Sequence, residues 1–456
     1  MAPAGGSVTH RRRQVRKPLS AAARHPARAV KCRGLVTQPY IHVRGATTSI
    51  CRRTNFRKAF LAPWHPLVNE IWLFALADAA RITRVSVHMS KLVVTHHHTD
   101  VTPSEPNLPE FARRLHSDVS CALNKLLADH RYDAPGQLWD GRAPHYLRLL
   151  DAPAQLSQFT YDYLNHVAAG LVERPQHMPG QQLEYGIWAT EGLVVRRPPG
   201  LFDRSRPSEQ LLPLAPSPEI MRLFEGDVHA AIHHMRKLAR EGERAIRASR
   251  RWPALGAQRL KRIHPSDEPR TLAEARGQRV PTFRIGARGE IGRSQRIAAS
   301  IETTAFRREH AETRLRRLEG EDELFPFGTY GQRVFHGAPV REPYEDALLA
   351  QPGPLLHEVL EELEQRPARS VDRAASLDEV RDDIVERAGE VVEASELDYR
   401  EPDPEECDGE ERPPAKTKHR SDRRPSWGEN PRRLIVRRDA RRGRPRKPRG
   451  SDPPSE

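Results

Sequence analysis

Several features are scarce or missing in this 456-residue sequence, and each absence excludes a class of protein. No apolar run approaches the ~20 residues that a transmembrane helix needs, so no membrane partner is expected. The basic N-terminus is not followed by an apolar segment, which argues against a secretory signal. The four cysteines lack the spacing of a zinc site or a disulfide framework and are typical of reduced thiols in a cytoplasmic protein.

Lysine is scarce as well, and this changes the meaning of the net charge of +14. About ten of the 75 Lys and Arg residues are lysine, so nearly all the positive charge is arginine. Arginine suits bidentate contacts with phosphate, which favours a nucleic-acid partner and a nucleoid-associated location. A GC-rich coding bias, which also raises the Arg, Ala and Pro content, is the competing explanation.

Composition predicts four segments along the chain. Forty prolines and a mean hydropathy of −0.72 indicate that a good part of it does not pack into a core. Residues 1–36 are predicted to be a disordered basic arm, 37–195 the main domain and 196–340 a partly helical extension that begins with a Pro-rich linker. Residues 341–456, first acidic and then basic, are predicted to be a mostly disordered tail.

Hydrophobic periodicity in the main domain predicts an α+β fold in the order β-α-β-α-β-α, with an antiparallel sheet covered by helices on one face. The predicted strands are Tyr40–Val43, Arg84–Thr102 and Tyr146–Leu150, and the predicted helices are Pro66–Ala80, Pro109–His130 and Ala154–Leu171. In the extension, Ser217–Arg251 and Glu302–Leu318 are predicted to be helical, and Phe325–His336 resembles a strand.

Three consecutive histidines lie inside the long predicted strand. Because alternate side chains share a face, His96 and His98 should point one way and His97 the other. Two imidazoles in this arrangement can chelate a divalent cation when a third ligand converges on it. A chance histidine cluster at a strand end is the alternative at this stage, and a buried His97 would need a polar partner.

The helix predicted to begin at Ala154 carries a polar row at i, i+4 spacing. Ser157, Tyr161 and Asn165 form this row, apart from the apolar face that contains Tyr163. A tyrosine and a carboxamide on one row could face the histidine pair, although a solvated helix face would show the same pattern.

Taken in order, these motifs resemble a known family. His96-His97-His98 is followed by Leu108-Pro109-Glu110-Phe111, a Trp-containing loop (Gly136 to Gly141), and then Tyr161-x-x-x-Asn165-His166-Val167-Ala168-Ala169-Gly170-Leu171-Val172. The pattern looks like that of the HUH single-tyrosine transposases, especially the REP-associated branch, over roughly residues 37–340. The resemblance implies an HUH endonuclease core with a ferredoxin/RRM-like antiparallel sheet.

The resemblance also implies a mechanism. His96 and His98, with Asn165 as third ligand, would hold Mg²⁺ or Mn²⁺, and Tyr161 would attack a DNA phosphate to give a 5′-phosphotyrosine and a free 3′-hydroxyl. The substrate would be single-stranded or hairpin DNA, and a homodimer is one expected assembly. Arg142 and Arg148 are the nearest candidates in sequence for cations beside Tyr161 and DNA.

Three departures from the family pattern keep other functions open. His97 stands at a normally hydrophobic position, Thr95 replaces the usual Asn, and His166 replaces the usual Pro after Asn165. A DNA-binding protein derived from a transposase, with catalysis lost, is therefore the first alternative. A metal-dependent hydrolase that uses water and needs no Tyr161 is the second.

The basic tail contains one further candidate for DNA binding. Arg442-Gly443-Arg444-Pro445 resembles an AT-hook, whose extended Gly-Arg-Pro core lies in a narrow minor groove. Chance is an equal explanation in so Arg- and Pro-rich a tail.

Overall fold

The structure is a computed structural model that describes residues 39–180, 183–268, 280–343 and 347–365. Its first six strands and helices follow the β-α-β-β-α-β order of the ferredoxin-like motif, and a third helix comes next. These elements are β1 (Thr48–Arg53), α1 (Leu67–Thr83), β2 (Val85–Val93), β3 (His96–Pro103), α2 (Leu108–Asp129), β4 (His145–Leu149) and α3 (Ala152–Ala168).

The later elements are shorter on average and more widely spaced along the chain. They are β5 (Leu193–Arg196), β6 (Glu209–Leu212), α4 (Pro218–Leu223), α5 (Val228–Ser249), α6 (Ala257–Leu260), β7 (Phe283–Arg284), α7 (Gly289–Glu319), α8 (Gly331–His336) and α9 (Leu356–Gln365). Short 3₁₀ helices cover Asn55–Arg57, Pro175–His177 and Tyr185–Ala189. Within the described ranges no helix is both long enough and apolar enough to cross a bilayer.

One five-stranded sheet organises the fold, with the strand order β2-β3-β1-β4-β7. Its first four strands are antiparallel, as the sequence predicts, whereas β7 pairs with β4 in parallel. The protein is therefore α+β with a mixed sheet. The parallel strand is only two residues long, too short to leave a periodic signal in the sequence.

Helices cover both faces of this sheet, so the prediction of helices on one face is wrong. On β3, His97 packs against Trp72 of α1 and His116 of α2, whereas His98 on the opposite face pairs with Asp162 of α3. The physical reason lies in β3 itself, where Thr99, Asp100, Val101 and Thr102 are all buried. Since these residues alternate between faces, both faces need a cover.

Four predicted elements differ from the structure. Residues Phe325–His336, predicted to resemble a strand, end in the helix α8 (Gly331–His336). Residues Tyr40–Val43 are not a strand, and the first strand is Thr48–Arg53. The run Arg84–Thr102 is a hairpin of two strands that turns at Val94 and Thr95. The helix predicted over Ser217–Arg251 breaks into α4 and α5 where Glu225 and Gly226 have positive φ.

The Pro-rich segment and the start of the acidic tail are packed. The predicted boundary at 195/196 falls inside the antiparallel β5–β6 hairpin, where Leu212 is fully buried and Gln210 donates to the Phe74 carbonyl of α1. In the tail, α9 buries Val359, and its Glu362 pairs with Arg222 of α4. Within the predicted tail, Leu356–Gln365 is therefore helical and packed, and the prediction that the tail is mostly disordered stays a prediction. Residues 1–38, 344–346 and 366–456, which include the whole predicted basic arm and most of the predicted tail, lie outside the described residues.

Candidate functional site

The start of β3 sets the direction of the three histidines. The rings of His96 and His98 lie on one face with their centroids 5.0 Å apart. His97 points to the other face, where it is fully buried and its two nitrogens lie 3.0 Å from Thr99 Oγ1 and 2.8 Å from His116 Nε2. The alternation predicted from the sequence is present, and His97 has the polar partners that its burial demands.

Helix α3 places Tyr161 on the same face as the histidine pair. The helix begins at Asp151, whose carboxylate accepts from the Ala154 backbone N–H at 2.8 Å, with Pro153 in the first turn. The Tyr161 ring lies edge-on to that of His98, with centroids 6.3 Å apart. Tyr161 is half-buried, whereas the residues from Asp162 to Val167 are buried. Its ring thus lies at a boundary between the core and solvent.

Asp162, the residue after Tyr161, orients His98. Its Oδ1 lies 3.0 Å from His98 Nδ1, so the other ring nitrogen of His98, Nε2, is left for a ligand. Gln158 donates to both oxygens of the carboxylate at 3.1 and 3.0 Å, and the Ser49 hydroxyl donates to Oδ2 at 3.2 Å. A carboxylate behind a histidine is a common support of a metal ligand, since it fixes the ring and its tautomer.

A second carboxyl group, Asp100, is fully buried close to Asp162. Burial, and then the charge of Asp162, raise the pKa of Asp100 well above its ordinary value. Burial would also raise the pKa of Asp162, but His98 and the donor Gln158 outweigh it and hold that pKa below the usual value. Both shifts favour ionisation of Asp162, the residue that faces His98, over ionisation of Asp100.

Two further basic side chains, Lys91 and His166, are buried close to the site. Lys91 of β2 pairs in register with His98 and is fully buried, and its Nζ is 4.9 Å from the centre of the Tyr163 ring. Burial lowers the pKa of Lys91 to about 7, although Glu184 and Asp162 act against this. His166 is fully buried and its Nε2 contacts the Leu92 carbonyl, so it secures α3 to the end of β2.

The remaining predicted site residues are placed differently. Asn165 is 8% exposed and lies one helical turn after Tyr161, on the helix that faces the histidines. Arg142 is exposed, and its guanidinium pairs with Asp140. Arg148 pairs in register with Thr48, whose neighbour Ser49 faces α3, so Arg148 points to the opposite face from Tyr161. Its guanidinium donates to the Leu349 carbonyl. It is buried, so the prediction that it supports Tyr161 is wrong. Arg442 and Arg444 lie outside the described residues.

The donor set of the site fits a divalent cation that accepts nitrogen. Nδ1 of His96 is engaged by Thr95 Oγ1 at 3.2 Å and Nδ1 of His98 by Asp162, so the two Nε2 atoms remain to bind a metal. Mn²⁺ tolerates imidazole, whereas Mg²⁺ prefers oxygen. Among the described residues, no three His, Cys, Asp or Glu side chains are grouped to hold a metal, so a third ligand would have to be Asn165 or water.

Sequence reasoning missed four residues that share this face. Asp162 was overlooked because it adjoins the tyrosine, yet a charged residue within an otherwise buried helix is a usable signal. Asp100 could have been found from its spacing of two residues from His98. Ser49 and Lys91 depend on strand pairing, which the sequence does not encode locally.

Comparison with known proteins adds little to this geometry. No family model matches the sequence, and no curated protein matches it. Among solved structures, the chain is similar to that of a REP-associated tyrosine transposase bound to a REP hairpin. The match covers 29% of this chain and 74% of that one, with 15% sequence identity and a TM-score of 0.22. A likeness of this size carries no argument about function.

Proposed function

We propose that this protein is an HUH-type, transposase-like enzyme that cleaves and rejoins single-stranded DNA through Tyr161. The observation that carries the proposal is the position of His98. The centre of its ring lies 6.3 Å from that of Tyr161 and 5.0 Å from that of His96, and its Nδ1 lies 3.0 Å from Oδ1 of Asp162. A nucleophile, two metal-capable imidazoles and an orienting carboxylate thus share one face of the sheet.

In the proposed reaction, the Tyr161 hydroxyl oxygen bonds to phosphorus while the bond between phosphorus and the 3′ oxygen breaks. The tyrosine gives up its proton, the departing 3′ oxygen takes one up, and a 5′-phosphotyrosine remains. A bound Mn²⁺ or Mg²⁺ would polarise the phosphate. His96, His98 and Asn165 would hold the cation, and Asp162 would keep the His98 ring in its productive orientation. A 3′-hydroxyl from another strand can reverse the step without a nucleotide cofactor.

A second candidate is a DNA-binding protein that has lost catalysis. Among the described residues, no third His, Cys, Asp or Glu is placed to hold a metal together with the two histidines, and this favours the inactive protein. His166, which replaces a proline in the family pattern, is used to secure α3 to β2 and carries no evident chemical role. In this case DNA binding would survive while the strand is never cut.

Covalent trapping separates these functions. Incubation with Mn²⁺ and a single-stranded or hairpin DNA should yield a protein–DNA adduct, which Tyr161→Phe should abolish without loss of DNA affinity. Tyr163→Phe is the matched control, because Tyr163 is buried and its hydroxyl donates to Glu184 at 2.7 Å. Cleavage without an adduct would support a hydrolase that uses water. DNA binding with neither product would support the catalytically inactive protein.

A further inference from the structure

Helix α5 carries a row of cations that form no ion pair with an acidic side chain among the residues that the structure describes. Arg236, Lys237, Arg240 and Arg244 are all exposed, and within the described ranges none of them makes an ion pair. Three of these residues are spaced at i, i+4 and i+8, so they follow one side of the helix. We call these four residues the α5 basic stripe.

The opposite side of α5 is apolar and attaches it to the core. Ile232, Met235, Leu238, Ala239 and Ile246 are buried there. The stripe is therefore held on a fixed element that packs against α3. A helix face that only contacts solvent does not need like charges at a regular i, i+4 spacing. Neighbouring arginines, in contrast, form ion pairs with glutamates. Arg247 pairs with Glu243 at 3.3 Å and Arg250 with Glu173 at 2.9 Å.

Contacts at both ends show that α5 runs alongside the helix that bears Tyr161. Just before α4, which leads into α5, the Ser217 hydroxyl donates to Gln155 in the first turns of α3. Just after α5, the Arg250 guanidinium donates to the Val167 carbonyl in the last turn of α3. The stripe lies between these two points, on the outer side of the same helix pair.

We propose that the α5 basic stripe binds the phosphate backbone of a DNA duplex adjoining the single strand at Tyr161. This inference rests on the proposed function, and it assigns the stem of a hairpin substrate to α5. The stripe covers about 12 Å at a rise of ~1.5 Å per residue. A B-form duplex carries about seven phosphates over that length, at one per ~1.7 Å of axis. Guanidinium groups suit such contacts because they bind phosphate through two parallel N–H groups.

The test compares two triple variants of the full chain that lose the same charge. One is Arg236→Gln, Arg240→Gln and Arg244→Gln. The control is Arg293→Gln, Arg308→Gln and Arg314→Gln on α7, three arginines that are also exposed. Glutamine keeps helix propensity close to that of arginine. The affinity for a DNA hairpin with a stem of about 12 base pairs, one helical turn of duplex, is measured against salt concentration for both variants and the parent.

Loss of the α5 arginines should make the negative slope of log affinity against log salt shallower by about 2 to 3, at ~0.9 per phosphate contact. Affinity near 0.1 M salt should fall at least about tenfold. The control should change the slope by less than about 1. Equal effects of the two triple variants on hairpin binding would overturn the proposal. The proposal would also fail if the α5 variant lost binding to phosphatidylglycerol vesicles but kept its affinity for the hairpin, which would assign the stripe to a membrane surface.

Failure here is distinguishable from failure of the proposed function. The α5 triple should still form the Tyr161 adduct on a short unstructured strand, because that substrate has no stem. The Tyr161→Phe variant should retain hairpin affinity and its salt dependence. A parent protein that binds the stem through α5 but forms no adduct would keep this inference and reject the enzyme.

Discussion

Nδ1 of His98 and Oδ1 of Asp162 lie 3.0 Å apart, in a contact that joins β3 to α3 across the face of the sheet. The contact does two things at once. It holds the helix that bears Tyr161 in register with the histidine strand, and it directs Nε2 of His98 away from the carboxylate. Because Gln158 and Ser49 hold the carboxylate itself, its orientation does not depend on a bound ligand.

Asp162→Asn should weaken Mn²⁺ binding by roughly 10- to 100-fold, the usual effect of losing a carboxylate behind a histidine ligand. The variant keeps the shape of the side chain but not the charge that fixes the His98 ring. Titration calorimetry with Mn²⁺ measures this without relying on activity. Asp140→Asn is the matched control, since Asp140 pairs with Arg142 and has no contact with the histidines. An unchanged Mn²⁺ affinity in Asp162→Asn would show that Asp162 only stabilises the fold.

The sequence predicted the parts of this site that depend on local periodicity. Alternation along β3 separates His97 from its neighbours, and i, i+4 spacing relates Tyr161 to Asn165. The sequence did not predict that α3 lies on the opposite face from α1 and α2, because side-chain periodicity gives the buried face of an element but not which layer covers it. The misplacement of Arg148 has the same cause: proximity in sequence to α3 says nothing about which face of β4 a residue occupies.

Contacts between distant segments were beyond sequence reasoning for a related reason. The Lys91–His98 register depends on a turn at Val94 and Thr95, two residues that carry no Gly, Asn or Asp to mark it. The β5–β6 hairpin was hidden by prolines that suggest a linker, although its Gln210 and Leu212 pack against the domain. In both places tertiary packing outweighs the local preference.

The buried His97–His116 pair should make stability fall in mild acid. Burial lowers the pKa of both residues well below the ordinary value, so both are neutral in the folded chain. The unfolded chain takes up protons below about pH 6.5, and the stability from these groups is therefore complete above that pH and lost as pH falls beneath it.

Replacing both histidines should flatten this pH dependence. The double variant His97→Leu, His116→Leu should reduce the slope of unfolding free energy by up to about 1.4 kcal/mol per pH unit for each histidine removed. Urea denaturation between pH 4.5 and 7.5 measures it. His229→Leu with His233→Leu is the control, because both side chains are exposed. A slope that is the same in the double variant and the parent would mean that the pair is not neutral in the fold.

Helix α9 should belong to the protease-resistant core. Val359 is fully buried, and Glu358 and Glu362 pair with Arg44 and Arg222. Limited trypsin digestion of the parent should leave a fragment that retains Leu356–Gln365, whereas the sequence predicted a core ending near residue 340.

Val359→Asp tests whether the packing of α9 is responsible. An unpaired buried carboxylate costs several kcal/mol, so α9 should detach and cleavage should move to Arg341. Glu361→Ala, at an exposed position of the same helix, should leave the fragment unchanged. A fragment ending near Arg341 in the parent as well would show that α9 does not dock.

Lys91→Met should stabilise the protein near neutral pH. The Nζ of Lys91 is buried without a hydrogen-bond partner among the described residues, and burial lowers the pKa of this amine to about 7 from an ordinary value near 10.5. Below pH 7 the amine is charged in both folded and unfolded chains, so the folded state bears the full cost of burying the charge. Between pH 7 and about 10.5 only the unfolded chain is protonated, and stability rises with pH across this window as the cost disappears.

The gain from Lys91→Met should therefore be largest at or below pH 7, of the order of a few kcal/mol, and small near pH 10. Methionine fills a similar volume without a charge, and the Tyr163 ring that now contacts Nζ would contact its thioether instead. Urea denaturation at pH 6.5 and pH 10 measures the difference. Lys125→Met, at an exposed position on α2, should show no such pH-dependent gain. If Lys91→Met destabilises at both pH values, the amine contributes more through Asp162 and Glu184 than its burial costs, and Lys91 is a structural counter-ion of the site.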